Sequence, residues 1–215
     1  MDPRLLIDGL ILYLGLIVLL TFHEFGHAWM AWKLGDDTAL SQGRVSLNPL
    51  VHIDPIGTVA VPLLLIFMAP AGFFIGWAKP VPVNADNLRN PRTDDIMVTL
   101  AGPWMNLLLA IAIMGLARVG YMVHSSGMTE VCLNTSRLSL LLCFFNLLPI
   151  PPLDGSQVVR ALIGMSYETY HHIARYGLFV LILVLQIRAV QQTLDTWTTT
   201  SWLAIAGWFG MPLST

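Results

Sequence analysis

Charge is scarce in this chain: Asp, Glu, Lys and Arg make up 11% of its residues, where a typical soluble domain carries about 25%. The 11 Lys and Arg are scattered, so no basic patch or charge run argues for a nucleic-acid partner. Cysteine is nearly missing as well. Cys132 and Cys143 offer neither C-x-x-C spacing nor a secreted disulfide framework, and they read as small apolar fillers. No small-x-small cleavage site stands between Met1 and residue 22, so the first apolar run reads as a retained helix and not as a signal peptide. No internal repeat or low-complexity segment is visible, and nothing is long enough to be an appended soluble domain.

What the chain has instead is apolar length. Hydrophobic residues make up 55% of it, with a mean hydropathy of +0.68, which marks an integral membrane protein. Apolar segments cover residues 5–34, 57–77, 96–119, 131–150 and 178–190, with a weaker one at 202–213. About 20 apolar residues span a bilayer, so the first, third and fourth are expected to span. The fifth reaches that length if 170–175 continues its helix, and the last is expected at the interface. Asp54-Pro55 reads as an N-cap followed by the first helical residue, and Thr93-Asp94-Asp95 as an N-cap with an acidic first turn. The mixed pattern of Gln42 to Val51 leaves room for a short β element. The fold expected is an all-α polytopic membrane protein, residues 1–215 forming one domain, with a core at about 5–166 and C-terminal helices at about 170–213.

The first apolar run, broken only by Asp8, closes on His-Glu-Phe-Gly-His at 23–27. On a helix this H-E-x-x-H string sets two imidazoles one turn apart on one face, able to share a Zn²⁺ beside Glu24. Hydrolytic zinc usually takes a third protein ligand and keeps one position open. A metzincin continuation is excluded, because Met30 and Lys33 stand where Gly and His are required. A downstream glutamate in the gluzincin manner would be Glu168. The other choice is Asp154, in Asn-Leu-Leu-Pro-Ile-Pro-Pro-Leu-Asp-Gly at 146–155, directly after an apolar helix that Pro149, Pro151 and Pro152 must end. Unwound backbone at membrane depth is tolerated where it is buried in protein or lines a wet cavity, and a carboxylate placed there needs a partner such as a metal.

Together these motifs resemble the site-2 protease family of intramembrane zinc metalloproteases, in a short prokaryotic form. The resemblance covers most of residues 20–160. Besides the two motifs above it rests on Gly-Arg-Val-Ser-Leu-Asn-Pro at 43–49, Asp-Pro-Ile-Gly-Thr at 54–58, Gly-Trp-Ala-Lys-Pro-Val-Pro-Val-Asn at 76–84 and Ala-Gly-Pro-Trp-Met-Asn at 101–106. It implies that His23, His27 and Asp154 hold one zinc ion and that Glu24 is the general base. It further implies a substrate that is a membrane protein with a transmembrane helix, cut within that helix. The PDZ and cystathionine-synthase-type modules frequent in the family have no counterpart in these residues.

A parity argument adds topology. His23 lies about 27 Å along a helix that starts near Leu5, close to the far side of a hydrocarbon core about 30 Å thick. Asp154 must reach the same depth, so the helix 131–150 must end on that side, which fails if every intervening segment spans. The segment 57–77, with Pro62, Pro70, Gly72 and Gly76, is expected to be re-entrant or broken. Lys33, Arg44, Lys79, Arg89, Arg92, Arg160 and Arg175 then share the side of the zinc site, against Arg4, Arg118, Arg137 and Arg188 opposite. By the positive-inside rule the site faces the cytoplasm of a prokaryotic cell membrane.

Asn146 and Asn106 are the candidates for stabilising the oxyanion, each weighed against ordinary helix–helix hydrogen bonding. His52, His124, His171 and His172 read as solvated loop or interface residues. Two other functions stay open at this point: an inactive escort that binds membrane segments, in which Glu24 would be dispensable, and a gluzincin-type membrane protease using Glu168. A zinc transporter fits less well, because transport favours ligands strung across the bilayer and these gather at one depth.

Overall fold

The computed structural model describes residues 3–68 and 76–212, and among them it is helical with no strand. The elements are α1 (Pro3–Lys33), α2 (Thr38–Ser41), α3 (Val61–Met68), α4 (Pro91–Met122), α5 (Ser126–Asn146), α6 (Asp154–Ile163), α7 (Tyr167–Ala174), α8 (Gly177–Leu185) and α9 (Arg188–Trp208). α1 and α4 are long and apolar enough to cross a membrane. They pack closely, and a Cβ on Gly26 of α1 would lie 2.7 Å from the Ala101 carbonyl oxygen of α4. α4 begins earlier than Thr93: Asn90 is its N-cap, Pro91 its first residue, and the Asp94 carboxylate accepts from the Asn90 N–H at 2.8 Å.

α5 covers the segment expected as a third span. Its 21 residues are long enough, and Glu130, Asn134, Ser136, Arg137 and Ser139 make it less apolar than α1 and α4. It is held by packing on α4, where Ser136 donates to the Ala110 carbonyl at 2.9 Å and Ser139 to that of Asn106 at 2.6 Å. Small hydroxyl side chains of this kind let helices approach and satisfy their own polarity inside a membrane.

The C-terminal region also departs from expectation. The apolar stretch 178–190 is divided, with α8 ending at Leu185 and α9 running on at a bend of 82°. Residues 202–208 belong to α9, where Ile205 and Ala206 are buried against Ala110, Met114, Ala117 and Leu140. Their buried side joins the core, while Trp208 stays exposed.

The segment 57–77 leaves and returns to the same place. Asp54 caps a wide π-type turn, Pro55–Ala60, by accepting from the N–H groups of Ile56 and Gly57, and α3 continues from it. The returning chain meets the departing one: Trp77 N–H donates to the Gly57 carbonyl at 3.2 Å, and Thr58 Oγ1 donates to the Trp77 carbonyl at 2.8 Å. Gly57 has no room for a side chain, since its Cβ would fall 2.3 Å from the Trp77 indole. The described ends therefore meet, as expected of a re-entrant or broken segment, and Pro70 and Gly72 lie outside the described residues.

Residues 42–51 form turns and no strand. Gly43 has φ +67°, Arg44 is buried and Asn48 caps the single turn Pro49–Val51, so no edge is offered for pairing. Arg44 instead donates to the carbonyls of Lys79 and Pro80, while Lys79 N–H donates to the His52 carbonyl at 2.9 Å. His52, expected to be solvated, is buried, its Nε2 on the Ser46 carbonyl at 2.8 Å, and that burial lowers its pKa.

Candidate metal centre

His23 and His27 lie on one face of α1, one turn apart, with ring centroids 4.7 Å from each other. Asp154 is the first residue of α6. Its side chain caps no helix, and Leu153 occupies the cap position. The two Nε2 atoms are 3.1 Å apart, and Asp154 Oδ2 lies 3.2 Å from that of His23 and 3.4 Å from that of His27. Ligands 2.0–2.1 Å from a tetrahedral centre stand about 3.3 Å from one another, so the three atoms have the mutual spacing zinc requires. Asp154 Oδ2 is also buried with no hydrogen bond of acceptable geometry, a carboxylate oxygen turned toward two imidazole nitrogens and otherwise unpartnered. Lone pairs brought together in this way repel one another unless a proton or a metal cation stands among them, and three ligand atoms at this spacing suit the metal.

Glu24 is buried beside His23, and its Oε2 accepts from the Val81 N–H at 3.1 Å. That N–H belongs to an extended stretch fixed at both ends. Arg44 holds one end. At the other, Asn84 N–H donates to Asp36 Oδ2 at 2.7 Å, and Asp36 also accepts from Thr38 and from the Asn87 amide. Burial alone would raise the Asp36 carboxyl, yet these donors hold it below the usual carboxylate range.

α4 supplies the wall behind the histidines. His27 Nδ1 is 2.8 Å from the Val98 carbonyl, and His23 Nδ1 is 3.2 Å from the Asn106 amide. Between them, a Cβ on Gly102 would lie 2.3 Å from His27 Nε2 and 2.7 Å from His23 Cε1. The rings rest where any other residue would put a side chain. α6, which carries Asp154, is tied to the start of α4 by a buried pair, Arg160 on Asp95, with Tyr167 donating to Asp95 at 2.7 Å. Arg92 donates to the Ala161 carbonyl at 2.9 Å, and Ser156 meets Tyr170 OH at 2.8 Å. Gly155 allows the tight break, since its Cβ would sit 2.2 Å from the Leu147 carbonyl oxygen.

Of the residues expected in the site, His23, Glu24, His27 and Asp154 are thus brought together. Asn106 is fully buried behind His23, on the side away from the Nε2 atoms. Asn146 is half-buried and donates to the Leu142 carbonyl of its own helix at 2.9 Å. Glu168 is exposed on α7, outside the cluster, as are His124, His171 and His172. Gly102, Val81 and Asp36 were not singled out from the sequence. The spacing of Gly102 and Asn106, four apart and so on one helical face, was the available signal for the first. The Asp154→Ala variant is expected to lose zinc, measured by metal analysis of the purified protein, whereas Glu168→Ala is expected to keep it.

Two histidines and a carboxylate around one point, on an apolar helix and the start of a second helix, with a glutamate next to one histidine, are the donor set of a metallohydrolase centre. The profile of Peptidase family M50 matches residues 11–123 and 116–185, and the chain belongs to that family, the site-2 proteases. YwhC of Bacillus subtilis, named as a candidate zinc metalloprotease, is 39% identical over 188 residues, covering 81% of this chain and 78% of its own. Rip2 of Mycolicibacterium smegmatis, named likewise, is 32% identical over 178 residues, covering 80% of this chain and 64% of its own. The zinc metalloprotease MJ0392 of Methanocaldococcus jannaschii is 24% identical over 157 residues, with 73% of this chain and 35% of its own covered. No solved structure matches the chain.

Proposed function

We propose that the chain is an intramembrane zinc-dependent endopeptidase that cleaves transmembrane segments of membrane proteins, with one zinc ion held by His23, His27 and Asp154. The observation that carries this reading is the convergence of those three ligand atoms, at the separations given above, beside the Glu24 carboxylate. When bound, zinc polarises the scissile carbonyl and lowers the pKa of water toward about 7. Glu24 takes a proton from the attacking water and returns it to the leaving amine. The Val81 N–H fixes one of its oxygens, leaving the other for that exchange. Asn146, once released from the Leu142 carbonyl, supplies an uncharged N–H to the oxyanion.

A transmembrane helix hides its own backbone, so a substrate must unwind locally to present a peptide bond. Helix-weakening Gly, Pro or Asn near the cleaved bond favours this. The Lys and Arg distribution, seven assigned to the side of the site and four opposite, supports a centre that faces the cytoplasm of a prokaryotic cell membrane.

The test is a comparison of membrane-protein fragments in cells with the wild-type chain and with Glu24→Gln. Fragments ending inside transmembrane segments are expected with the first and lost with the second. Equal fragments in both strains would favour the escort, for which Glu24 is dispensable.

A further inference from the structure

Val98, Gly102 and Asn106 follow one another at intervals of four along α4 and form one stripe against the two histidines. The middle residue makes room; the outer two touch the ring nitrogens that face away from Asp154. At His27 the contact fixes the tautomer. A carbonyl oxygen accepts and never donates, so the 2.8 Å approach of His27 Nδ1 to the Val98 carbonyl puts a proton on Nδ1, and in the neutral ring that a metal requires the lone pair is then on Nε2.

At His23 the partner is an amide, which can face the ring with either end. With the Asn106 N–H₂ toward Nδ1, at 3.2 Å, His23 must carry its proton on Nε2, the atom aimed at Asp154, and Asn106 Oδ1 lies buried without a partner. Rotating the amide by half a turn leaves its shape unchanged and brings Oδ1 to Nδ1. Nδ1–H then donates to Oδ1, and Nε2 presents a lone pair as it does on His27. The rotation puts the amide N–H₂ in place of the unpartnered Oδ1, and in exchange it frees a ligand nitrogen from its proton.

The geometry points to Asn106 as the positioning residue of His23: its amide oxygen accepts the Nδ1–H bond and holds the ring in the metal-binding tautomer, as the Val98 carbonyl does for His27. This rests on the zinc reading above. Groups that orient a ligating imidazole typically change metal affinity 10–100-fold when removed. Asn106 has no access to the substrate side. It acts through His23.

The experiment measures zinc affinity of the full chain in detergent by competition with a chromophoric chelator. Asn106→Leu, similar in size but with nothing to accept the bond, is expected to bind zinc about 10–100-fold more weakly. Asn106→Asp, which only accepts, is expected to stay within about threefold of wild type, in keeping with carboxylate–histidine–zinc arrangements. Wild-type affinity in Asn106→Leu would overturn the inference, as would an Asn106→Asp affinity no better than that of Asn106→Leu. A readout that needs no substitution is the ¹⁵N-histidine spectrum of the zinc-loaded wild type, in which His23 Nδ1 is expected to carry the proton. Finding it bare overturns the inference whatever the variants do. A wild type that binds no zinc would instead remove the metal reading itself.

Discussion

Gly102→Ala is expected to empty the metal centre while leaving the fold standing. The added methyl would lie 2.3 Å from His27 Nε2, 2.6 Å from its Cε1 and 2.7 Å from His23 Cε1, well inside contact distance. α4 cannot retreat, because α1 and α5 pack along it and Gly26 already touches the Ala101 carbonyl. The movable parts are the ends of the two imidazoles, and swinging them away carries both Nε2 atoms off the point they share with Asp154. Zinc affinity is expected to fall by at least about 100-fold, the scale on which metal sites respond to lost orientation. The zinc-free melting temperature should change little. Gly207→Ala is the control, since its Cβ meets nothing within 4 Å. Unchanged zinc binding in Gly102→Ala would mean that the rings do not need that surface.

Glu24→Gln should do the opposite, keeping the metal and losing the reaction. The amide keeps an oxygen for the Val81 N–H, so the local geometry survives while the basicity is removed. General-base removal costs about 10²–10⁴ in rate. A transmembrane reporter in proteoliposomes is expected to be cut slower by that factor with one zinc per chain retained. A variant cutting at the wild-type rate would take the proton-transfer role away from Glu24.

Much of the centre was legible because its chemistry is written in local strings. Two histidines four apart announce a shared face, and an aspartate after three prolines announces a carboxylate on broken backbone. That the ends of 57–77 meet was expected from counting crossings, since His23 and Asp154 had to end at one depth. What stayed hidden depends on how helices are rotated against each other. Gly102 matters because α4 turns that position toward α1, and Asn106 lies behind His23 for the same reason. No periodicity in either helix alone states this. The polar residues of α5 hide their own solution, since the acceptors for Ser136 and Ser139 are the Ala110 and Asn106 carbonyls of α4. The break at Gln186-Ile187 carries neither proline nor glycine. Residues 42–51 alternate as a strand would, yet Arg44 turns inward to hold the Lys79 and Pro80 carbonyls.

That anchorage gives one stretch of the chain an unusual intolerance of length change. Between the Pro80 carbonyl, gripped by Arg44, and the Asn84 N–H, gripped by Asp36, lie three residues, and the first of them contacts Glu24. An extended residue covers about 3.3 Å, so one insertion or deletion here would shift Val81 by more than a hydrogen bond can follow. Surface loops elsewhere absorb such changes as bulges, whereas a tether pinned at both ends passes the error straight to the carboxylate.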